Sequence, residues 1–129
     1  MKKNILVISG SPRVGGNSDA LAEAFIEGVK KAGHNVELFQ AGQKNIKGCM
    51  GCEQCYSKET ACVVNDDFNE LAPMLEKADT IIWVTPVYYF TFTASIKAAI
   101  DKMYAFAISG RSLQKKQHVA RLWRSRRGC

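Results

Sequence analysis

The chain has 129 residues, of which 47% are hydrophobic, 9% aromatic and 23% charged. That balance excludes a disordered or fibrous chain and fits one globular domain, able to bury about two-thirds of its unfolded surface. No apolar run is long enough to cross a bilayer. The stretch Ile5-Leu6-Val7-Ile8 after Met1-Lys2-Lys3 is too short for a signal peptide and leads into no cleavage site, so a cytoplasmic protein is expected. The net charge of +6 is unevenly spread, because residues 111–129 hold seven basic residues (Arg111, Lys115, Lys116, Arg121, Arg124, Arg126, Arg127) and no acid. Residues 1–110 carry eleven basic against twelve acidic residues. The basic tail can attract phosphate nonspecifically, but it carries no motif that reads a nucleic acid, so no specific nucleic-acid partner and no membrane is expected.

Asn4 to Ser9 is a short apolar run closed by Gly10, Ser11 and Pro12, the pattern of a strand buried on both faces of a parallel sheet. Residues 18–32 have helical spacing, with Leu21, Ala24, Phe25, Val29 and Ala32 on one face, Asn17 or Ser18 as a possible cap and Gly33 as a stop. Asn35 to Phe39 reads as a second strand. Residues 41–66 show little periodicity and hold four cysteines, so this is a functional loop. Asp66 or Asp67 caps a helix running to about Lys77, with Pro73 near its first turns. Thr80 to Thr85 is a third buried strand, with Trp83 in the core. Residues 93–108 form one helix that turns Ile96, Ala99, Ile100, Met103 and Tyr104 to the core. Strands alternating with helices predict a doubly wound α/β sheet.

The segment Ser9-Gly-Ser-Pro-Arg-Val-Gly-Gly-Asn-Ser18 joins a strand to a helix, where free N–H groups and the helix dipole meet. Ser11, Asn17 and Ser18 add short polar side chains, Gly15 and Gly16 allow close approach, and Arg13 adds a cation. The set suits a phosphate dianion. It lacks the ending of an ATP-type P-loop and the spacing of the dinucleotide fingerprint. A second loop, Thr85-Pro-Val-Tyr-Tyr-Phe-Thr-Phe-Thr93, is aromatic-rich at the carboxyl end of a strand, where open α/β sheets bind ligands. Together the two loops favour a bound mononucleotide with a flat ring.

Ile8-Ser-Gly-Ser-Pro-Arg13 with Gly16-Asn-Ser18, followed by Pro86-Val-Tyr88, Lys97 and Ile100-Asp-Lys102, resembles the NADPH-dependent FMN reductases of the flavodoxin-like superfamily over residues 4–104. The resemblance implies a three-layer α/β/α fold and FMN as cofactor. It places Ser9, Ser11, Arg13, Asn17 and Ser18 around the phosphate and Pro86, Val87, Tyr88, Tyr89 and Phe90 near the isoalloxazine.

Cys49, Cys52, Cys55 and Cys62 are spaced C-x2-C-x2-C-x6-C, which lets thiolates converge on one iron–sulfur cluster. Zinc fits less well, since its C-x2-C pairs usually stand further apart. Free thiols, or a redox-active pair such as Cys49–Cys52, remain open. The spacing is similar to that of the iron–sulfur flavoproteins, a branch of the same family carrying a [4Fe–4S] cluster.

Family character fades after about residue 117. A fourth strand should begin at Gln117–Trp123, where Arg121 interrupts the pattern, and Arg124 to Cys129 matches nothing in the family. This leads to an expected layout of a flavodoxin-like FMN domain at 1–110, with a cysteine-rich loop at 46–62, and a basic tail at 111–129 holding a partial fourth strand. The sheet is expected to be incomplete at its C-terminal end through truncation or a reading-frame change, with weakened FMN binding and homo-oligomerisation as consequences. The functional expectation is an FMN-dependent oxidoreductase or electron-transfer flavoprotein, fed by NAD(P)H or an electron-donor protein, with no catalytic acid–base residue required. The rival expectation is a cysteine-based redox or metal-sensing module whose flavin site is vestigial.

Overall fold

A computed structural model of the chain describes residues 1–111 and 113 and the backbone of 116–122. Four strands, β1 (Asn4–Ser9), β2 (Asn35–Gln40), β3 (Thr80–Pro86) and β4 (Lys116–Leu122), form one parallel sheet in the order β2-β1-β3-β4. The strands are linked by helices α1 (Asn17–Lys31), α2 (Phe68–Lys77), α3 (Ala94–Lys102) and α4 (Tyr104–Ile108). A short 3-10 turn at Ala41–Gln43 follows β2. This is the doubly wound α/β sheet that the alternation of elements predicts. The strand order reverses between β1 and β3, so their carboxyl ends open the crevice where such sheets take ligands.

The apolar runs explain the two layers. Leu6 and Ile8 of β1 and Ile81 and Trp83 of β3 face one way, onto Phe68, Leu71 and Leu75 of α2 and Ile96 and Ala99 of α3. Val7, Ile82 and Val84 face the other way, onto Ala22 of α1. Burial on both faces is why β1 and β3 read as unbroken apolar runs rather than alternating ones. Strand β2 lies at one side of the sheet, and only its Phe39 is fully buried.

Several local expectations are corrected. Helix α1 is turned from the face read in the sequence. Ser18, Ala22 and Val29 are buried, while Ala24, Phe25 and Ala32 are exposed. Its N-cap is Gly16, and neither Asn17 nor Ser18 caps it. The C-terminus closes as expected, with Gly33 N–H donating to Lys30 O at 3.0 Å and His34 N–H to Val29 O at 3.2 Å. Residues 93–108 make two helices rather than one, broken at Met103, and the break turns Tyr104 outward to 41% exposure. The N–H of Met103 is shared between the carbonyls of Ala99 and Ile100, the tightening seen where a helix ends.

The backbone of β4 runs through Arg121, which pairs in register with Thr85 of β3. Lys115, Trp123, Arg124, Arg126, Arg127 and Cys129 lie outside the described residues, as do the side chains of His118 and Arg121. Among the described residues no helix is long and apolar enough to cross a membrane.

Candidate functional site

The loop after β1 is locked before any ligand is considered. Gly10 N–H donates to Val84 O at 2.8 Å, carrying the β1–β3 ladder one residue past the strand. Thr93 Oγ donates to Gly10 O at 2.9 Å, and Thr93 N–H donates to Thr85 Oγ at 3.2 Å. These bonds tie the first loop to the end of β3. Gly10 leaves no room for a side chain, since a Cβ there would stand 2.2 Å from Ile96 and 2.6 Å from the Thr93 hydroxyl. Beneath the loop, Gln43 Nε2 donates to Pro12 O at 3.0 Å and to Ser11 O at 3.4 Å. A planar trans peptide then turns the Arg13 N–H the opposite way, where Ser11 Oγ accepts it at 3.2 Å.

The first turn of α1 has N–H groups with no partner within the helix, and no side chain caps it. The Asp19 carboxylate reaches back only to Gly15 N–H, at 2.7 Å. Among the described residues, Ser9 Oγ is the buried side-chain polar atom without a hydrogen-bond partner. Strand alternation puts Ser9 on the α1 face with Val7. Arg13 and Asn17 are exposed, whereas Ser11 and Ser18 are buried. An orphaned hydroxyl, an uncapped helix start and an exposed guanidinium fit a phosphate group.

The second loop makes a tight turn, with Tyr88 N–H donating to Thr91 O at 2.9 Å and Thr91 N–H to Tyr88 O at 3.2 Å. Its two central residues are in the left-handed region, Tyr89 at φ 42° and Phe90 at φ 69°. That conformation is unfavourable for bulky residues and is tolerated mainly where function requires it. The turn displays Tyr89 at 92% exposure and Phe90 at 73%, their rings edge to face with centroids 5.4 Å apart. Pro86 and Val87 are half-buried at its base.

The cysteine loop is fastened at its base. Asn45 N–H donates to Asp67 Oδ2 at 2.6 Å, and Asp67 N–H returns a bond to Asn45 O at 3.0 Å. Asp66 accepts from Lys47 N–H at 2.9 Å and from Phe68 N–H at 3.0 Å. It also forms an ion pair with Lys102, and both side chains are almost wholly buried. Asp67 stands at the N-cap of α2 as expected, but its carboxylate bonds the loop rather than the helix, while Asp66 Oδ1 takes the first helical N–H and Oδ2 serves the loop and Lys102. Burial alone would push the Asp66 carboxyl up, but the bonds from Lys102, Lys47 and Phe68 outweigh it and hold the carboxyl below the usual range.

Above this base Cys49, Cys52, Cys55 and Cys62 line one small pocket with Glu53, Lys102 and Tyr104. All four are free thiols; Cys49 and Cys52 are exposed, Cys55 and Cys62 half-buried. Gly51 N–H lies 3.5 Å from Cys49 Sγ, and Cys62 N–H donates to Asn69 Oδ1 at 2.8 Å. Burial pushes the Cys55 thiol up, and its three cysteine neighbours push the same way. Among the described residues no three metal-binding side chains stand close enough to share a single ion. In an iron–sulfur cluster each thiolate binds a different iron, so four soft thiols around one pocket are a suitable donor set. Tyr56 braces the loop from below, its hydroxyl donating to Glu76 at 2.7 Å and its ring lying 4.1 Å from the Arg111 guanidinium. Burial, then the Glu76 bond, pushes the Tyr56 hydroxyl up to about 12.

The sequence did not mark Thr85, Thr93, Gln43 or Lys102 as site residues. Thr93, Gln43 and Lys102 have partners remote in the chain (Gly10, Ser11 and Pro12, and Asp66), and only Lys102 had a local signal. Lys102 falls three and six residues after the buried Ala99 and Ile96, on the apolar face of α3.

An iron–sulfur flavoprotein of Archaeoglobus fulgidus is 37% identical over 99 residues, covering 77% of this chain and 44% of that protein. One from Methanosarcina thermophila is 30% identical over 113 residues, covering 88% of this chain and 59% of its own length. The chain thus spans about half the length of these curated relatives. An NAD(P)H:quinone oxidoreductase structure from Methanothermobacter marburgensis superposes with a TM-score of 0.68 at 16% identity, over 95% of this chain and 84% of that one, which establishes the flavodoxin-like fold. The family model described as NADPH-dependent FMN reductase matches residues 3–122, so both loops and all four strands fall inside it, and the chain belongs to the NADPH-dependent FMN reductase family.

Proposed function

We propose that the chain is an FMN-dependent oxidoreductase that draws electrons from NAD(P)H or a donor protein, and that Cys49, Cys52, Cys55 and Cys62 hold a [4Fe–4S] cluster. The observation that carries the reading is the pair of loops at neighbouring strand ends, bonded to each other through Thr93 and Gly10, with Ser9 Oγ left unpartnered beneath them. Bound FMN supplies exchange of an electron pair with a nicotinamide and of single electrons with a metal centre.

The chain's own residues do the positioning. Ser9, Ser11, Arg13, Asn17 and Ser18 would hold the phosphate, through hydroxyls, first-turn N–H groups and the guanidinium. The backbone at Pro86 and Val87 would meet the ring edge, while Tyr88, Tyr89 and Phe90 would shield its face from water. Exposed aromatics of this size on one turn are more than a single chain covers, which supports association with another copy in a cytoplasmic homo-oligomer. Names of the relatives support the cluster: the two quoted proteins are iron–sulfur flavoproteins.

The test is an anaerobic titration of the full chain with FMN, followed by NAD(P)H. Quenched flavin fluorescence, then loss of the flavin absorbance on adding NAD(P)H, is the expected result. Binding without bleaching would assign the electrons to a donor protein. No quenching and no thermal protection at saturating FMN would end the flavin reading. Iron and sulfide content after reconstitution tests the cluster separately.

A further inference from the structure

We propose that Lys102 is a buried counter-charge that sets the reduction potential of the centre held by the four cysteines, without ligating it. The inference rests on the cluster reading above. Lysine is almost never fully buried, and Lys102 is 3% exposed in the wall of the cysteine pocket. A buried ion pair is a poor way to gain stability, since apolar side chains of the same volume often do as well or better. Its presence here calls for another use of the charge.

The geometry supplies one. Asp66 is bonded by the Lys102 ammonium and by the N–H groups of Lys47 and Phe68. Those bonds fix the carboxylate in the base of the loop, and Lys102, not Asp66, lines the pocket with the cysteines. The opposing charge in the pocket wall is Glu53, which is exposed and bonded to Tyr104 Oη at 3.2 Å. Water screens an exposed carboxylate far more than a buried ammonium. When one electron enters the cluster its negative charge grows by one, and no bond or proton at Lys102 changes. A fixed buried cation therefore favours the reduced state and raises the potential.

The experiment is a potentiometric titration of the anaerobically reconstituted full chain, followed by electron paramagnetic resonance, with iron counted per chain. Lys102→Gln is expected to lower the midpoint potential at unchanged iron content. Asp66→Asn, which leaves the ammonium uncompensated, is expected to raise it. Lys102→Arg keeps the charge and stays near the wild-type value, as does Lys97→Gln on the exposed side of α3. A merely structural pair predicts that Lys102→Gln and Asp66→Asn shift the potential in the same direction; that result, or no shift in either at full iron content, overturns the proposal. If Lys102→Gln does not fold, the opposite-sign test passes to Asp66→Asn against Lys102→Arg, and an unmoved or lowered potential in Asp66→Asn refutes it. A wild-type chain that takes up no iron and sulfide removes the cluster itself, a failure read from metal content rather than from potentials.

Discussion

Residues 10–16 are fixed by hydrogen bonds to their backbone atoms and by close packing, whereas residues 44–67 are fastened mainly at the base by charged side chains, with Tyr56 and Asn69 as further braces. In the first loop the fixing partners are Val84 O, the Thr93 hydroxyl and Gln43, and Gly10 and Gly42 are pressed against their neighbours. In the second, Asp66, Asp67 and Lys102 fasten the two ends and Asn69 holds the backbone at Cys62, while Cys49 and Cys52 between them are exposed. A loop that binds a phosphate through backbone N–H groups must be shaped beforehand. A loop whose thiolates wrap an inorganic core can leave its interior to the metal and secure only its ends.

The hardest blow to the second arrangement is Asp66→Ala. It leaves the Lys102 ammonium buried without its partner, and breaking such a pair costs about 3–5 kcal/mol. Urea denaturation of the cluster-free chain should register that loss. Because the Asp66 carboxyl is held below its usual range, its contribution is intact at neutral pH and fades only as pH falls below about 4, through its lowered folded value. The acid limb of the stability curve should flatten in this variant. The opposite limb belongs to Tyr56. Its hydroxyl is raised to about 12, so its contribution is complete below pH 10 and is lost as pH rises toward 12. Tyr56→Phe should remove that alkaline loss and leave the acid limb unchanged.

The first arrangement breaks through Gly42→Ala. The new Cβ would lie 2.1 Å from the carbonyl oxygen of Ser11, a backbone atom that cannot step aside without moving the loop. Overpacking of this kind costs about 1–3 kcal/mol. Flavin binding should fall together with stability, since the loop shape and its packing are the same thing. If FMN affinity survives a full loss of that stability, the idea of a preshaped loop is wrong.

How much of this was legible in the chain differs along the same line. Strands β1 and β3 were plain because burial on both faces writes an unbroken apolar run. The strand-to-helix loop after β1 was plain because its hydroxyls, glycines and helix start are adjacent in sequence. The phase of α1 was misread because Ala22 and Ala24 are equally apolar and Leu21 and Val29 suit either face, while Phe25 gave apolar weight to a face that is exposed. The break at Met103 carries no proline or glycine to announce it. Asp66 and Asp67 were legible as the helix start because capping is a local pattern, but their second use was not, since Asn45, Lys47 and Lys102 lie 22, 19 and 36 residues away.

A smaller effect sharpens the comparison at the aromatic turn. Replacing Tyr89-Phe90 with Asn-Gly suits the left-handed conformation of both positions and should stabilise the flavin-free chain by about 1–2 kcal/mol. If the aromatics shield the flavin ring, the same change weakens FMN binding. A gain in melting temperature with unchanged affinity would leave these rings without a part in the site.

The finest test separates the fold from its ligand at one atom. Ser9 Oγ is buried with no partner, and an unsatisfied buried hydroxyl destabilises the state that contains it. Ser9→Ala should therefore raise the melting temperature of the flavin-free chain slightly, by the equivalent of about 1 kcal/mol or less, since the methyl group needs no hydrogen bond. The effect on binding should have the opposite sign, with FMN bound more weakly because one phosphate donor is gone. Riboflavin, which lacks the phosphate, should be bound equally by both forms. If FMN and riboflavin lose affinity together, Ser9 acts through packing of the strand end rather than through the phosphate. If neither changes, the phosphate lies elsewhere along the first turn of α1.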